Sequence, residues 1–152
     1  MKKKIFAVIL ILFVAVSAFA KPKKEPLIDF IVDVYNQKEP CSNENFLKHG
    51  FVKNSQGYIT TWHNLTVQLV LNDSELDRYV FSAKDESTYL SSWSDFITYI
   101  YDRYDKVEQS KGQFINGVNS LAEGMAYDFS CVTVFNFAPT INKFELYYNY
   151  LL

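Results

Sequence analysis

The feature that most constrains this chain is an unbroken apolar spacing of three and four residues from Tyr89 to Val107. Tyr89, Leu90, Trp93, Phe96, Ile97, Ile100, Tyr101, Tyr104 and Val107 fall on one side, with Asp95, Thr98, Asp102, Asp105 and Lys106 opposite. That period is helical, and it predicts an amphipathic helix of about five turns over Ser87–Gln109. Gly112 is placed to stop it. Phe114, Val118, Leu121 and Met125 extend the same spacing as a weaker helix, interrupted by Gly117 and Gly124.

On either side of this stretch the period drops to two. Leu65, Val67, Leu69 and Leu71 alternate with Thr66, Gln68 and Val70, the pattern of a strand buried on one face. Phe51–Asn54 and Tyr58–His63 flank the turn Ser55-Gln56-Gly57, and Arg78–Ala83 follows the turn Asn72-Asp73-Ser74-Glu75. After the helical region, Phe129, Cys131, Thr133, Phe135 and Phe137 alternate. Pro139-Thr140-Ile141-Asn142 then turns the chain into Phe144, Leu146, Tyr148 and Tyr150. Nearer the start, Leu27, Phe30, Ile31, Val34 and Tyr35 read as a first helix ended by Pro40. Ser42 to Gly50 carries the cap, acidic first turn and glycine stop of a short second one. These elements predict an α+β domain over residues 27–152. Its expected form is a single antiparallel sheet of about five to six strands, one long amphipathic helix on one face, and one or two short N-terminal helices.

The first 20 residues read differently. Lys2, Lys3 and Lys4 precede twelve apolar residues, Ile5 to Val16, and Ala18 and Ala20 occupy the −3 and −1 positions of a cut after residue 20. This is the form of a cleaved export signal, and the run is shorter than the roughly 20 apolar residues of a bilayer span. A periplasmic or secreted bacterial protein with no membrane span after cleavage is expected. Residues 21–26, with Pro22, Pro26 and three lysines, read as a flexible leader.

Composition narrows the chemistry. Without Lys2 to Lys4, 12 basic face 17 acidic side chains, an acidic balance ill suited to neutralising phosphates, so no nucleic-acid partner is expected. An aromatic content of 17% excludes a disordered chain. Cys41 and Cys131, bound for an oxidising compartment, are expected to pair as a disulfide. Closing about 90 residues would remove unfolded-state entropy worth at most about 4–5 kcal/mol. The competing reading makes Cys41 a nucleophile near a helix start, with His49 or His63 as base, in an envelope cysteine hydrolase. The flanking Cys41-Ser42-Asn43-Glu44 carries no family motif.

Two histidines and no close ligand pair argue against a metal site, and no motif calls for a cofactor. The carboxylates Asp73, Glu75, Asp77, Asp85, Glu86, Asp102 and Asp105 fall on turns and on the polar side of the long helix, as solvated charges do. The aromatic surplus is what remains. Tyr58 and Trp62 alternate on one strand, and Tyr147, Tyr148 and Tyr150 crowd a terminal segment apolar on both faces. Tyr and Trp on an exposed sheet face bind protein, peptide or glycan partners. The sequence therefore leads to a small exported, non-catalytic binding domain, with these five residues as its surface. A structural envelope subunit assembling through an unpaired edge strand is the further alternative.

Overall fold

The computed structural model describes residues 24–73, 75–116, 120–137 and 141–147. The expected signal segment, the first part of the leader, Pro139-Thr140, Tyr148 and Tyr150 lie outside the described residues. Chain order is α1 (Pro26–Tyr35), α2 (Asn43–Lys48), β1 (Val52–Asn54), β2 (Gly57–Trp62), β3 (Leu65–Asn72), β4 (Glu75–Ser82), α3 (Glu86–Tyr101), β5 (Lys106–Asn116), β6 (Ser120–Phe129), β7 (Thr133–Phe137) and β8 (Lys143–Tyr147).

All eight strands form one sheet in the order β1-β2-β3-β4-β8-β7-β6-β5, every neighbouring pair antiparallel. This order has a plain logic. A helical segment followed by a four-strand meander occurs twice, and the last strands of the two meanders, β4 and β8, pair at the centre. Helix α3 carries the chain from the central strand β4 to the far edge, β5.

Local chemistry explains the joints. The Ser42 hydroxyl accepts the Asn45 N–H at 3.3 Å and caps α2. Gly50 follows with φ of +82°, the left-handed stop its position predicts. Between β2 and β3 only His63 and Asn64 turn the chain. Both have positive φ, 46° and 65°, as a two-residue type I′ hairpin requires. Asp85 opens α3 by accepting the Thr88 N–H at 2.9 Å, and this bond holds its exposed carboxyl below the usual carboxylate range.

Helices α1 and α3 lie on the same face of the sheet, over a single core. Tyr35 on α1 donates its hydroxyl to the Leu146 carbonyl of β8. Phe96 on α3 packs on Phe81 of β4 and Phe144 of β8, at ring distances of 5.6 and 4.6 Å. Helix α1 is buried around most of its circumference because α2 covers it in turn. There the His49 ring stacks on Phe30 at 3.8 Å, and Phe46 meets Phe30 edge-on.

The expectation of five to six strands and a five-turn helix is corrected by this fold. The sheet has eight strands, and α3 is 16 residues long, ending at Tyr101. Beyond it, Arg103 and Tyr104 close a turn on the Ile100 carbonyl. Residues 106–116 then pair with 120–129 along the longest hairpin of the molecule. Tyr104 and Val107 kept the helical period by coincidence: Val107 sits at a bulge and is 74% exposed. The weaker helix expected over Phe114–Met125 is likewise strand at 114–116 and 120–125, with Gly117 and Val118 outside the described residues. Gly112 and Gly124 stand directly opposite each other in that hairpin, and a Cβ on Gly124 would lie 2.4 Å from the Asn136 carbonyl oxygen of β7. The glycine marks a close approach of strands, not a helix defect.

Candidate functional site

The register divides the candidate residues between two faces. On β2, Tyr58 and Trp62 share the parity of Leu65, Val67 and Leu69 on β3, and all of them point at the helices. Tyr58 is 5% exposed, with its hydroxyl donating to Asn43 Oδ1 at 2.9 Å. Trp62 is 6% exposed, with Nε1 donating to Glu25 Oε2 at 3.0 Å. Tyr147 points to the opposite face. The expected surface of Tyr58, Trp62 and Tyr147 is therefore not one surface, because alternation along the strands sends its members to opposite sides.

The two cysteines are free thiols in this structure, Cys41 exposed and Cys131 half-buried. The expected disulfide is absent. Burial pushes the Cys41 thiol up, partly offset by the Leu76 N–H, and pushes Cys131 up to about 11. Among the described residues neither histidine makes a hydrogen bond to a thiol. His49 is stacked on Phe30. His63 is held between two carboxylates, Nε2 3.3 Å from Glu25 Oε2 and Nδ1 3.1 Å from Asp95 Oδ2, with its ring against Trp62. The Ser92 hydroxyl donates to the His63 carbonyl at 2.8 Å. This cluster ties the start of α1, the β2–β3 turn and α3 together. Glu25 and Pro26, placed in the leader by sequence, thus belong to the folded part. Among the described residues no group of three or more His, Cys, Asp or Glu could hold a metal ion.

The other face of the sheet carries no helix among the described residues. One row of directly paired residues crosses all eight strands there: Val52, Ile59, Gln68, Val80, Glu145, Phe135, Ala126 and Ser110. The flanking rows contribute Val70, Arg78 and Tyr147 on one side, and Lys143, Phe137 and Gly124 on the other.

At the centre lies Glu145, 1% exposed. Its carboxylate accepts from Lys143 Nζ at 2.6 Å and from the Tyr147 hydroxyl at 2.6 Å. Arg78 Nε is 3.3 Å from Glu145 Oε2 but off the hydrogen-bonding direction, so this contact is an ion pair rather than an aligned bond. A second guanidinium nitrogen of Arg78 goes to Asp77. Beside this centre Phe135 is met edge-on by Phe114 at 4.8 Å and Tyr147 at 4.9 Å. Lys143 Nζ lies 4.7 Å above the Phe137 ring. Phe135, Phe137 and Ala126 are themselves buried, 3%, 1% and 0% exposed, and form a second small core on this face; what remains accessible beside them is the half-buried Arg78 and Tyr147 and the apolar strip of Ile59, Val70 and Val80.

The sequence reading missed Arg78, Lys143 and Glu145. Its available signal was the alternation of Lys143 and Glu145 with Phe144 and Leu146, which places charge on one face of a strand whose other face is core.

No family model, curated protein or solved structure matches this chain. Among the described residues no helix is long and apolar enough to cross a membrane.

The tyrosines give a testable alkaline signature. Burial raises Tyr99 and Tyr104 to about 12, Tyr79, Tyr89 and Tyr147 further, and Tyr35 well above its ordinary value, with the Glu145 carboxylate adding to the effect at Tyr147. A raised tyrosine holds its proton more tightly when folded. The resulting stability is complete below the ordinary value of about 10 and is lost as pH rises through the raised values. Phenolate absorbance should therefore climb in two phases, the later one coinciding with loss of the far-UV dichroism signal. One smooth step near the ordinary value with the fold intact would contradict these environments.

Proposed function

We propose that this chain is a small exported, non-catalytic binding module that engages a protein partner through the helix-free face of its sheet. The observation that carries the reading is the β1–β4 half of the row, where Val52 is exposed and Ile59, Gln68 and Val80 are half-buried with no helix over them among the described residues; Glu145, Phe135 and Ala126 beyond them are buried. Half-buried Tyr and Arg side chains on a sheet face are of the types that dominate protein interfaces. Export rests on Lys2–Lys4, the apolar run and the small residues before position 21. Among the described residues His49 and His63 are engaged with Phe30 and with Glu25 and Asp95 rather than with either thiol, which supports binding over hydrolysis.

Affinity capture from envelope extract of the producing cells tests it. The half-buried Ile59 and Val70 face outward on the proposed surface, and Ile59→Asp with Val70→Asp should abolish capture. Leu90→Asp, at an exposed position of α3, should leave it intact. Equal capture by both variants removes the reading. A concentration-dependent homodimer would instead favour self-assembly through β5, an edge of 11 residues against the three of β1.

A further inference from the structure

The two edges of the sheet are built differently. Strand β1 ends it on one side with three residues, and β5 ends it on the other with 11. A short edge offers little to pair with, whereas a long one presents a row of open N–H and C=O groups. Every second residue of β5 turns its backbone groups away from β6, and these have no partner among the described residues. The bulge at Val107 lies at the very start of the strand. Over residues 108–116 the register with β6 is unbroken, and no proline interrupts it.

The two faces of this edge differ in charge. Residues paired across strands share a face. Lys106, Gln109 and Lys111 pair with Phe129, Tyr127 and Met125 of β6, and Tyr127 packs on Trp93 of α3 at 5.5 Å. Both lysines therefore lie on the helix-bearing face. They are exposed, and among the described residues neither forms an ion pair; Lys106 Nζ donates to the neutral Gln109 Oε1 at 2.8 Å. The opposite face of the edge carries Glu108 at one end, then Ser110, Gly112 and the half-buried Phe114.

This asymmetry selects the occupant. A second copy joined about a two-fold axis would bring its own lysines onto the same face of the joined sheet, and like charges on facing strands repel. A strand with carboxylates on that face is instead attracted. Its other face meets Phe114 and the bare backbone at Gly112, where apolar side chains fit.

We propose that β5 is a strand-addition site for an extended segment of another protein, acidic on one face and apolar on the other. Main-chain bonds along 108–116 supply the affinity, and the side chains of the edge supply the selection. Lys106 and Lys111 take carboxylates at the spacing of Phe129 and Met125 on β6. This edge lies at the far end of the sheet from the β1–β4 surface, and the proposal does not depend on that surface.

Fluorescence anisotropy with the purified chain tests it, using labelled peptides of about ten residues, the length of a long strand. One peptide alternates Val and Glu, a second alternates Val and Lys, and a third repeats the first with every backbone amide N-methylated. The Val/Glu peptide should bind saturably and about tenfold more tightly than the Val/Lys peptide, as expected when two cross-strand pairs change from attraction to repulsion. The methylated peptide should not bind, and hydrogen exchange should slow in β5 when the Val/Glu peptide is present. Lys106→Glu combined with Lys111→Glu, at two exposed positions, should reverse the preference between the charged peptides. Equal affinity for both charged peptides, binding of the methylated one, unchanged exchange in β5, or no binding of the Val/Glu peptide would each overturn the proposal. The comparison of peptides on the unaltered chain keeps the test decisive should the double variant fail to fold.

Discussion

Phe144→Ala should cost the protein about 3–5 kcal/mol of stability, the range for deleting a buried aromatic ring. Phe144 is 0% exposed and stands where both meanders and α3 meet. Its ring stacks on Phe81 at 4.6 Å with planes 9° apart, contacts Phe96 at 4.6 Å, and is met by Trp93 at 5.1 Å and Tyr89 at 6.5 Å. The cavity left behind cannot collapse, because its walls come from strands pinned by ladder bonds and from α3. Against a typical domain stability of about 5–15 kcal/mol, such a loss takes away a large fraction. Urea unfolding should show a lowered midpoint with an unchanged slope. A shift worth less than about 1 kcal/mol would mean that this ring is not the keystone its contacts imply.

Glu145→Ala is expected to be comparably severe for a different reason. The carboxylate is buried at the centre of the sheet and shared by Lys143, Arg78 and Tyr147, whose cationic members are 16% and 20% exposed. Removing it leaves Lys143 without its carboxylate and Arg78 with Asp77 alone in a half-buried site, and breaking a buried pair in this way costs about 3–5 kcal/mol. The diagnostic experiment is the rescue. Glu145→Leu combined with Arg78→Met and Lys143→Leu removes all three charges together, and should recover most of the lost stability, since apolar replacement of a whole buried ionic group is often neutral. If the triple variant is no more stable than Glu145→Ala, the cluster acts through packing and not through charge. The same triple variant also bears on function: folded but unable to capture a partner, it would place the central charges in the contact itself.

How much of this was legible beforehand follows the range of the interactions concerned. Short-range chemistry was readable. Ser42 and Gly50 bound α2, the alternation of Leu65 to Leu71 makes β3, and Asn72 to Glu75 turns the chain. The candidate site was not readable. Tyr58, Trp62 and Tyr147 were grouped by residue type, yet alternation and register send the first two under the helices and the third to the opposite face. Cys41 and Cys131 were joined by count and compartment, and the structure leaves them unlinked.

What the sequence determined by itself is the set of local choices, namely caps, turns and which residues of a strand share a side. Those depend on neighbours within a few positions, and their energies are complete before the chain folds back on itself. Whether 106–116 and 120–125 become helix or paired strands was decided only in three dimensions. The apolar spacing there serves either state, and pairing of β6 with β7, admitted by the missing side chain at Gly124, buries Ala122 and Ala126 with Phe135 and Phe137, which an isolated helix would leave in water. The tertiary structure likewise decided that Glu145 would be buried. A carboxylate is tolerated at the middle of a sheet only where cations from another strand reach it, and Arg78 lies 67 residues earlier in the chain.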